Sequence, residues 1–165
     1  MNGVSQAKGR EAYPLLVEAL KLSGSLRLPA TGTSMVPAIH PRDVITIQPI
    51  ESNEVTIGDV VVYPKDHALV VHRVVGIFAD KDERLLVTRG DRLLKDDEPI
   101  DLSDVLGKVV RVQRRNRRLS LRPVKSAAHQ TLCQVLRRSD RATSVFLRAS
   151  ALLNGIIFKR NAGPA

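Results

Sequence analysis

The chain predicts a mainly β fold: an antiparallel all-β core with an N-terminal helix and C-terminal amphipathic helices. Three observations carry that expectation. Short β-branched runs recur between turn residues from about residue 26 to residue 121, and no helical pattern separates them. Apolar residues at helical spacing occur only before residue 25 and after residue 125. The 43% hydrophobic and 26% charged content over 165 residues is that of a globular chain long enough to bury a core. With aromatics at 3% and no Trp, that core must be aliphatic. The expected organisation is an N-terminal helical extension over 1–25, a β domain over 26–125 and a C-terminal helical extension over 126–165.

In chain order, residues 11–22 place Leu15, Leu16, Ala19 and Leu22 on a helical stripe, with Pro14 acceptable in a first turn and Ser23-Gly24-Ser25 as the stop. Ser25 to Ala30 reads as a strand leading into Thr31-Gly32-Thr33-Ser34-Met35-Val36-Pro37. Strands follow at Val44–Ile47, at Val60–Tyr63 (ended by Pro64), at Ala68–Phe78 and at Leu85–Thr88. A last hairpin pairs Val105–Val112 with Leu119–Leu121 through the Arg-rich connection 114–118. Beyond it, Ser126–Arg138 and a segment with Val145, Ala149, Leu152, Leu153, Ile156 and Ile157 on one stripe form two helices. The second either docks on the core or a partner, or lies on a membrane surface.

Charge and cysteine usage narrow the function classes. The net charge is +9, and Lys108–Lys125 holds eight basic residues and no acid. Such a run suits an anionic partner or is simply a solvated hairpin. It lacks base-stacking aromatics, so nucleic acid is not the expected partner. The single Cys133 excludes an intrachain disulfide and a cysteine-based metal site. No signal peptide and no run of ~18 uninterrupted apolar residues is evident, which predicts a cytoplasmic or peripherally membrane-associated protein.

The residues fit for chemistry begin with Ser34. Gly32 allows backbone conformations closed to other residues and room for close approach of a second chain. Met35-Val36-Pro37 fits a short helical turn whose amides point back at the serine, the layout of a nucleophile with its own oxyanion donors. Such a stretch is also ordinary turn chemistry. A nucleophilic serine needs a base, and the histidines are His40, His67, His72 and His129. Only His72 stands in a strand, Val70-Val71-His72-Arg73-Val74-Val75, sharing a face with Val70 and Val74 by the period of two. Its neighbour Arg73 needs a partner if its own face is covered. Downstream acids, in Gly90-Asp91 and Asp96-Asp97, are the nearest carboxylates to orient that histidine.

The ordered set Gly32-Thr33-Ser34-Met35-Val36-Pro37, Pro41-Arg42-Asp43-Val44, Ile57-Gly58-Asp59-Val60, Val71-His72-Arg73-Val74-Val75, Thr88-Arg89-Gly90-Asp91 with Asp96-Asp97, and Leu106-Gly107-Lys108-Val109 resembles the successive boxes of a serine protease superfamily. It contains the type I signal peptidases and the LexA-type self-cleaving repressors. The resemblance covers residues 28 to 112 and is greatest to the Ser–His branch of archaeal, endoplasmic-reticulum and sporulation-type signal peptidases. It implies a β-barrel core and a serine endopeptidase acting on a leader, signal or precursor peptide after small residues, without cofactor or metal. By the same likeness Ser34 is the nucleophile, His72 the general base and Asp97 the orienting acid, with Asp91 a second candidate. Gly32, Thr33 and Ser34 would form the oxyanion and substrate-binding turn. Histidine suits that role because its ordinary value near ~6.5 needs little tuning, whereas a lysine base must be strongly desolvated.

The chain departs from the pattern at Gly32, where many signal peptidases carry a serine, at Arg42, where the box has glycine, and at Arg92, where it has asparagine. A transmembrane anchor is also not evident. Two other expectations compete: a LexA-like self-cleaving regulator, for which the residues ahead of Ser34 hold no scissile Ala-Gly or Cys-Gly, and a non-catalytic module using the basic run.

Overall fold

In a computed structural model, the described residues are 14–51, 54–66, 68–80, 83–115, 117–119, 121, 136, 139–141 and 143–150. His67, His129, Cys133 and the stripe residues Leu152, Leu153, Ile156 and Ile157 lie outside them, as does all of 126–138 except Leu136. Residue contacts divide the chain into two compact units, Met1–Val124 and Lys125–Ala165.

The first unit opens with helix α1 over 14–23, closed where Gly24 takes a left-handed φ of 67° and its amide donates to the Leu20 carbonyl. Its buried side chain is Leu20, while Leu15 and Leu22 are 66% and 83% exposed. The expected stripe is therefore rotated: the half-buried Leu16 and Val17 flank Leu20, and these three form the covered face.

Among the described residues eight strands follow: β1 (Leu26–Pro29), β2 (Val44–Gln48), β3 (Val60–Lys65), β4 (Ala68–Asp80), β5 (Glu83–Arg89), β6 (Ile100–Asp101), β7 (Gly107–Arg114) and β8 (Arg117–Leu119). All pair antiparallel in one sheet of order β1-β2-β7-β3-β4-β5-β6, with β8 on β7. The expected barrel is not formed. The four-residue β1 and the two-residue β6 end the sheet and do not pair with each other, so it stays open. Two features went unread in the sequence, β6 and the 3₁₀ turn Leu102–Asp104, whose Asp101 cap accepts from the Ser103 amide at 2.7 Å. Pro64 does not end β3, because at that point the strand pairs only with β4 and no amide is needed towards β7.

The two faces of the β3–β4 pair bury different cores. Val60 and Val62 join Leu20, Met35, Ile39, Ile45, Ile47, Val109 and Val112 on one side. Val61 and Tyr63 join Val74, Leu86 and Leu102 on the other. This is the strict period of two acting on a run buried on both faces, so Val60–Tyr63 shows no polar alternation at all. It also sends His72 and Arg73 to opposite sides of the sheet.

Three aspartates tie turns to strands. Asp43 accepts from Arg114 at 2.8 and 2.9 Å, Asp59 from Lys108 at 2.9 Å, and Asp91 from Arg73 at 2.7 and 2.8 Å. Arg42 and Gly58, the residues before the first two, have φ of 73° and 101°. Lys108 and Arg114 therefore spend their charge inside the fold, and the Lys108–Lys125 run is less of a free basic face than its sequence suggests. In the second unit, 140–141 and 143–150 are helical. Thr143 is buried there, and the two described members of the expected stripe, Val145 at 65% and Ala149, are exposed. Among the described residues no helix is long and apolar enough to cross a membrane.

Candidate active site

Three adjacent strands build one floor. Tyr63 on β3, His72 on β4 and Thr88 on β5 project to the same sheet face, because Val61 pairs with His72 and Val74 pairs with Thr88 in register. Each is buried: 1% exposed for Tyr63, 7% for His72 and none for Thr88. The chain then leaves β5, turns at Gly90–Leu93 and returns so that the Asp97 amide donates to the Thr88 carbonyl at 2.8 Å. That contact brings the Asp97 carboxylate over the floor.

His72 is engaged at both ring nitrogens. Nδ1 lies 2.6 Å from Asp97 Oδ2 and Nε2 lies 3.1 Å from Ser34 Oγ. Ser34, His72 and Asp97 are thus brought together in a line. With Asp97 ionised, Nδ1 donates to it, which fixes the tautomer and leaves Nε2 able to accept the serine proton. Burial alone would raise the Asp97 carboxyl, but hydrogen bonds from Thr88, His72 and Tyr63 outweigh it and hold the group below its ordinary value. A hydroxyl, an imidazole and a carboxylate in this order can draw the proton from the hydroxyl as it attacks an electrophile and stabilise the imidazolium that results.

Asp91 does not join them. Its carboxylate accepts a bidentate pair from Arg73, which also donates to the Gly58 carbonyl at 2.8 Å and the Leu121 carbonyl at 3.0 Å. The partner that Arg73 requires is therefore the very acid that the sequence offered to His72. His40 is buried but stands apart from Ser34's partners: its amide donates to Asp43 Oδ2 at 2.8 Å. Burial first, and then the Arg114 charge, pull its ring down to about 4.

Ser34 sits in hydrogen-bonded turns over 34–38, not in a helical turn; Val36 donates to the Thr33 carbonyl, Ile39 to the Met35 carbonyl, and the Val36–Pro37 peptide is cis. Among the described residues the Ser34 amide donates to no backbone carbonyl, so it can serve a ligand oxygen. Thr33 Oγ1 accepts from Arg92 at 3.3 Å.

Gly32 is not in the left-handed region, and a β-carbon there would meet nothing within 4 Å, so the backbone does not demand glycine at that place. The demand falls on Gly90. A β-carbon there would lie 2.9 Å from the Ser34 carbonyl oxygen, 3.0 Å from His72 Nε2 and 3.0 Å from Leu93 Cγ. The same turn holds the Ser34 carbonyl through the Arg92 amide at 2.8 Å. Gly90, Thr88 and Tyr63 are thus site residues that sequence reasoning missed. The sequence signal for Thr88 and Gly90 was their place in the Thr88-Arg89-Gly90-Asp91 box; the face that Thr88 shares with His72 follows from the β4–β5 register.

A cleft of about 490 Å³ opens beside Ser34. One wall is β1 with its continuation, Leu28 to Gly32, and the other is Ala68–His72 of β4; Met35, Ile39, Ile45 and Val62 form its base. Apart from His72, its lining carries no ionisable side chain. Both walls expose strand edges. β1 pairs only with β2, and β5 covers β4 only from Arg73 onwards. No cluster of three or more His, Cys, Asp or Glu suited to a metal ion occurs among the described residues. Neither models of known protein families nor curated proteins match the chain.

Proposed function

We propose that this chain is a serine endopeptidase of signal-peptidase-like type and fold, cutting an extended segment of a leader or precursor peptide after a small residue. The observation that carries the reading is the unbroken contact from Ser34 Oγ through His72 to Asp97, at 3.1 and 2.6 Å. The cleft supports it, since an extended peptide can pair with the free edges of β1 and β4 while its apolar side chains enter the uncharged base.

In the proposed reaction Ser34 Oγ bonds to the carbonyl carbon of the peptide and its proton passes to His72 Nε2. The carbonyl oxygen takes the negative charge and is met by the Ser34 amide, without help from a side chain at Gly32. As the intermediate collapses, the carbon–nitrogen bond breaks and the imidazolium gives its proton to the leaving amine. Water, deprotonated by His72, then releases the acyl group and restores Ser34. Asp97 remains ionised throughout and holds the ring.

The test is cleavage of a panel of synthetic leader peptides. Ser34→Ala abolishes cleavage while circular dichroism and melting temperature stay at parental values. Cleavage by Ser34→Ala at the parental rate sinks the reading.

A further inference from the structure

Asp97 Oδ2 receives more than the imidazole. The Thr88 hydroxyl donates to it at 2.7 Å and the Tyr63 hydroxyl at 3.2 Å, while His72 Nδ1 meets the same oxygen at 2.6 Å. The two hydroxyl oxygens also lie 3.0 Å apart. Thr88 has one hydroxyl hydrogen and spends it on Asp97, so Tyr63 is the donor in the Tyr63–Thr88 contact and its hydrogen is shared between Thr88 and Asp97.

Resting on the peptidase reading, we infer that Tyr63 and Thr88 are positioning residues of the reaction, a paired-hydroxyl clamp that fixes and tempers the carboxylate orienting His72. Two fixed points define its geometry. The Thr88 carbonyl accepts from the Asp97 amide and the Thr88 hydroxyl donates to the Asp97 carboxylate, so backbone and side chain of one strand residue hold both ends of the acid. Tyr63, whose ring is in the core with Val61, Val74 and Leu86, reaches across β4 to lock the hydroxyl of Thr88 on β5. Burial, opposed by the Thr88 hydrogen bond and reinforced by the Asp97 charge, pushes the Tyr63 hydroxyl up to about 12, so it stays a donor wherever the imidazole is a base.

The consequence is electrostatic as well as geometric. A carboxylate oxygen that shares its charge among three donors attracts the imidazole proton less than one facing the imidazole alone. The clamp therefore spreads the Asp97 charge over three donors while it orients the ring. The other charged groups around this corner are Arg92, hydrogen-bonded to Thr33, and the Arg89–Asp96 pair at 3.0 Å, the latter with Asp96 half exposed.

The experiment uses the full chain and an alkyl fluorophosphonate, read by intact and peptide mass. In that modification the Ser34 Oγ–phosphorus bond forms, the phosphorus–fluorine bond breaks, fluoride leaves and His72 takes the proton. The near-isosteric Thr88→Val and Tyr63→Phe variants, singly and together, slow Ser34 modification by roughly 10- to 100-fold, the size of a lost hydrogen bond to a charged group. Their acid limb moves to higher pH, since Asp97 then faces the imidazole with its charge undivided. Thr88→Ser, which keeps the hydroxyl, stays near the parental rate and profile. A hydroxyl that only fills the core would change folding stability without displacing the limb. Parental rate and profile in both single variants overturn the clamp and leave the peptidase reading standing. A parental protein that is not modified at Ser34 overturns that reading, and the clamp with it.

Discussion

Adjacent residues of β4 each meet an aspartate, on opposite sides of one sheet, and the two pairs have different properties. On one side His72 Nδ1 faces Asp97 and its other nitrogen faces Ser34. On the other side Arg73 holds Asp91 by two parallel hydrogen bonds and spends a third nitrogen on the carbonyls of Gly58 and Leu121. Both pairs are largely buried, with side-chain exposures of 9% and 17% for His72 and Asp97 and 11% each for Arg73 and Asp91. The difference is in what the cation can do. A guanidinium cannot give up its proton at any working pH, so Arg73 is a permanent tie between a strand and three loops, through Asp91, Gly58 and Leu121. An imidazole can take and return a proton, and under the proposed mechanism His72 does so beside the Ser34 hydroxyl while Asp97 stays ionised and only orients it.

The largest effect that would break this comparison is expected at Asp97. Under the proposed mechanism Asp97→Asn lowers the rate of peptide cleavage by about 10⁴-fold, because an amide leaves the ring without a carboxylate to set its tautomer. Circular dichroism stays parental, since Asn fills the same space and its amide still reaches the Thr88 carbonyl. A rate within tenfold of parental would mean that the two carboxylates differ in nothing that matters for the reaction.

Asp91→Ala is the mirror experiment. Removing one member of a buried, hydrogen-bonded pair strands the other charge, and the expected loss is about 3–5 kcal/mol in urea unfolding. Cleavage per folded molecule stays close to parental because neither Ser34 nor His72 loses a hydrogen-bond partner. Arg73→Met in the same background recovers part of the stability, as expected when both charges are replaced by apolar atoms. An Asp91→Ala protein of parental stability but without cleavage would reverse the assignment of the two acids.

The sequence made one of these pairs far more legible than the other. Ser34, His72 and the acids are visible because each stands in a short box of defined texture, and the strand period alone puts His72 and Arg73 on opposite faces. Choosing between Asp91 and Asp97 required the path of the Gly90–Leu93 turn, which is a tertiary fact. The positions of β2, β3, β4, β5 and β7 were legible because β-branched runs bounded by turn residues have few alternatives. The two-residue β6 was not, having no pattern of its own and pairing only through Leu85 and Leu86. Barrel closure failed as an expectation because local patterns specify strands and not whether the first and last of them meet. The covered face of α1 differs from the expected one for a related reason: Leu15, Leu20 and Leu22 are chemically equal, and only packing selects Leu20. Of the two glycines, Gly32 has the open space expected for the approach of a second chain, whereas Gly90 is pressed against His72 and Ser34, a contact that only the tertiary path creates.

His40 sharpens the comparison from a third direction, with the smallest expected effect. Its exposure of 6% matches the 7% of His72, and it too has an aspartate close by. That aspartate is spent: Asp43 accepts from Arg114 Nε and Nη2 and from the His40 backbone amide. The imidazole therefore sees burial and a nearby guanidinium, which outweigh the attraction of Asp43, and its proton is lost at about 4 instead of the ordinary 6.5. The folded protein then binds fewer protons than the unfolded chain between those values, so stability rises with pH across that window and falls as the solution is acidified from 6.5 towards 4. The loss attributable to this histidine reaches about 2 kcal/mol by pH 5 and approaches about 3 kcal/mol below pH 4. Urea midpoints at pH 5 and pH 8 measure the upper part of the window, above the ordinary titration of carboxylates. His40→Gln removes that part of the slope, while cleavage at pH 8 is unchanged because His40 makes no contact in the Ser34–His72–Asp97 line. An equal slope in His40→Gln and parental protein would show that Arg114 and burial do not hold this ring neutral, and that a buried histidine beside an occupied aspartate behaves no differently from one beside an available aspartate.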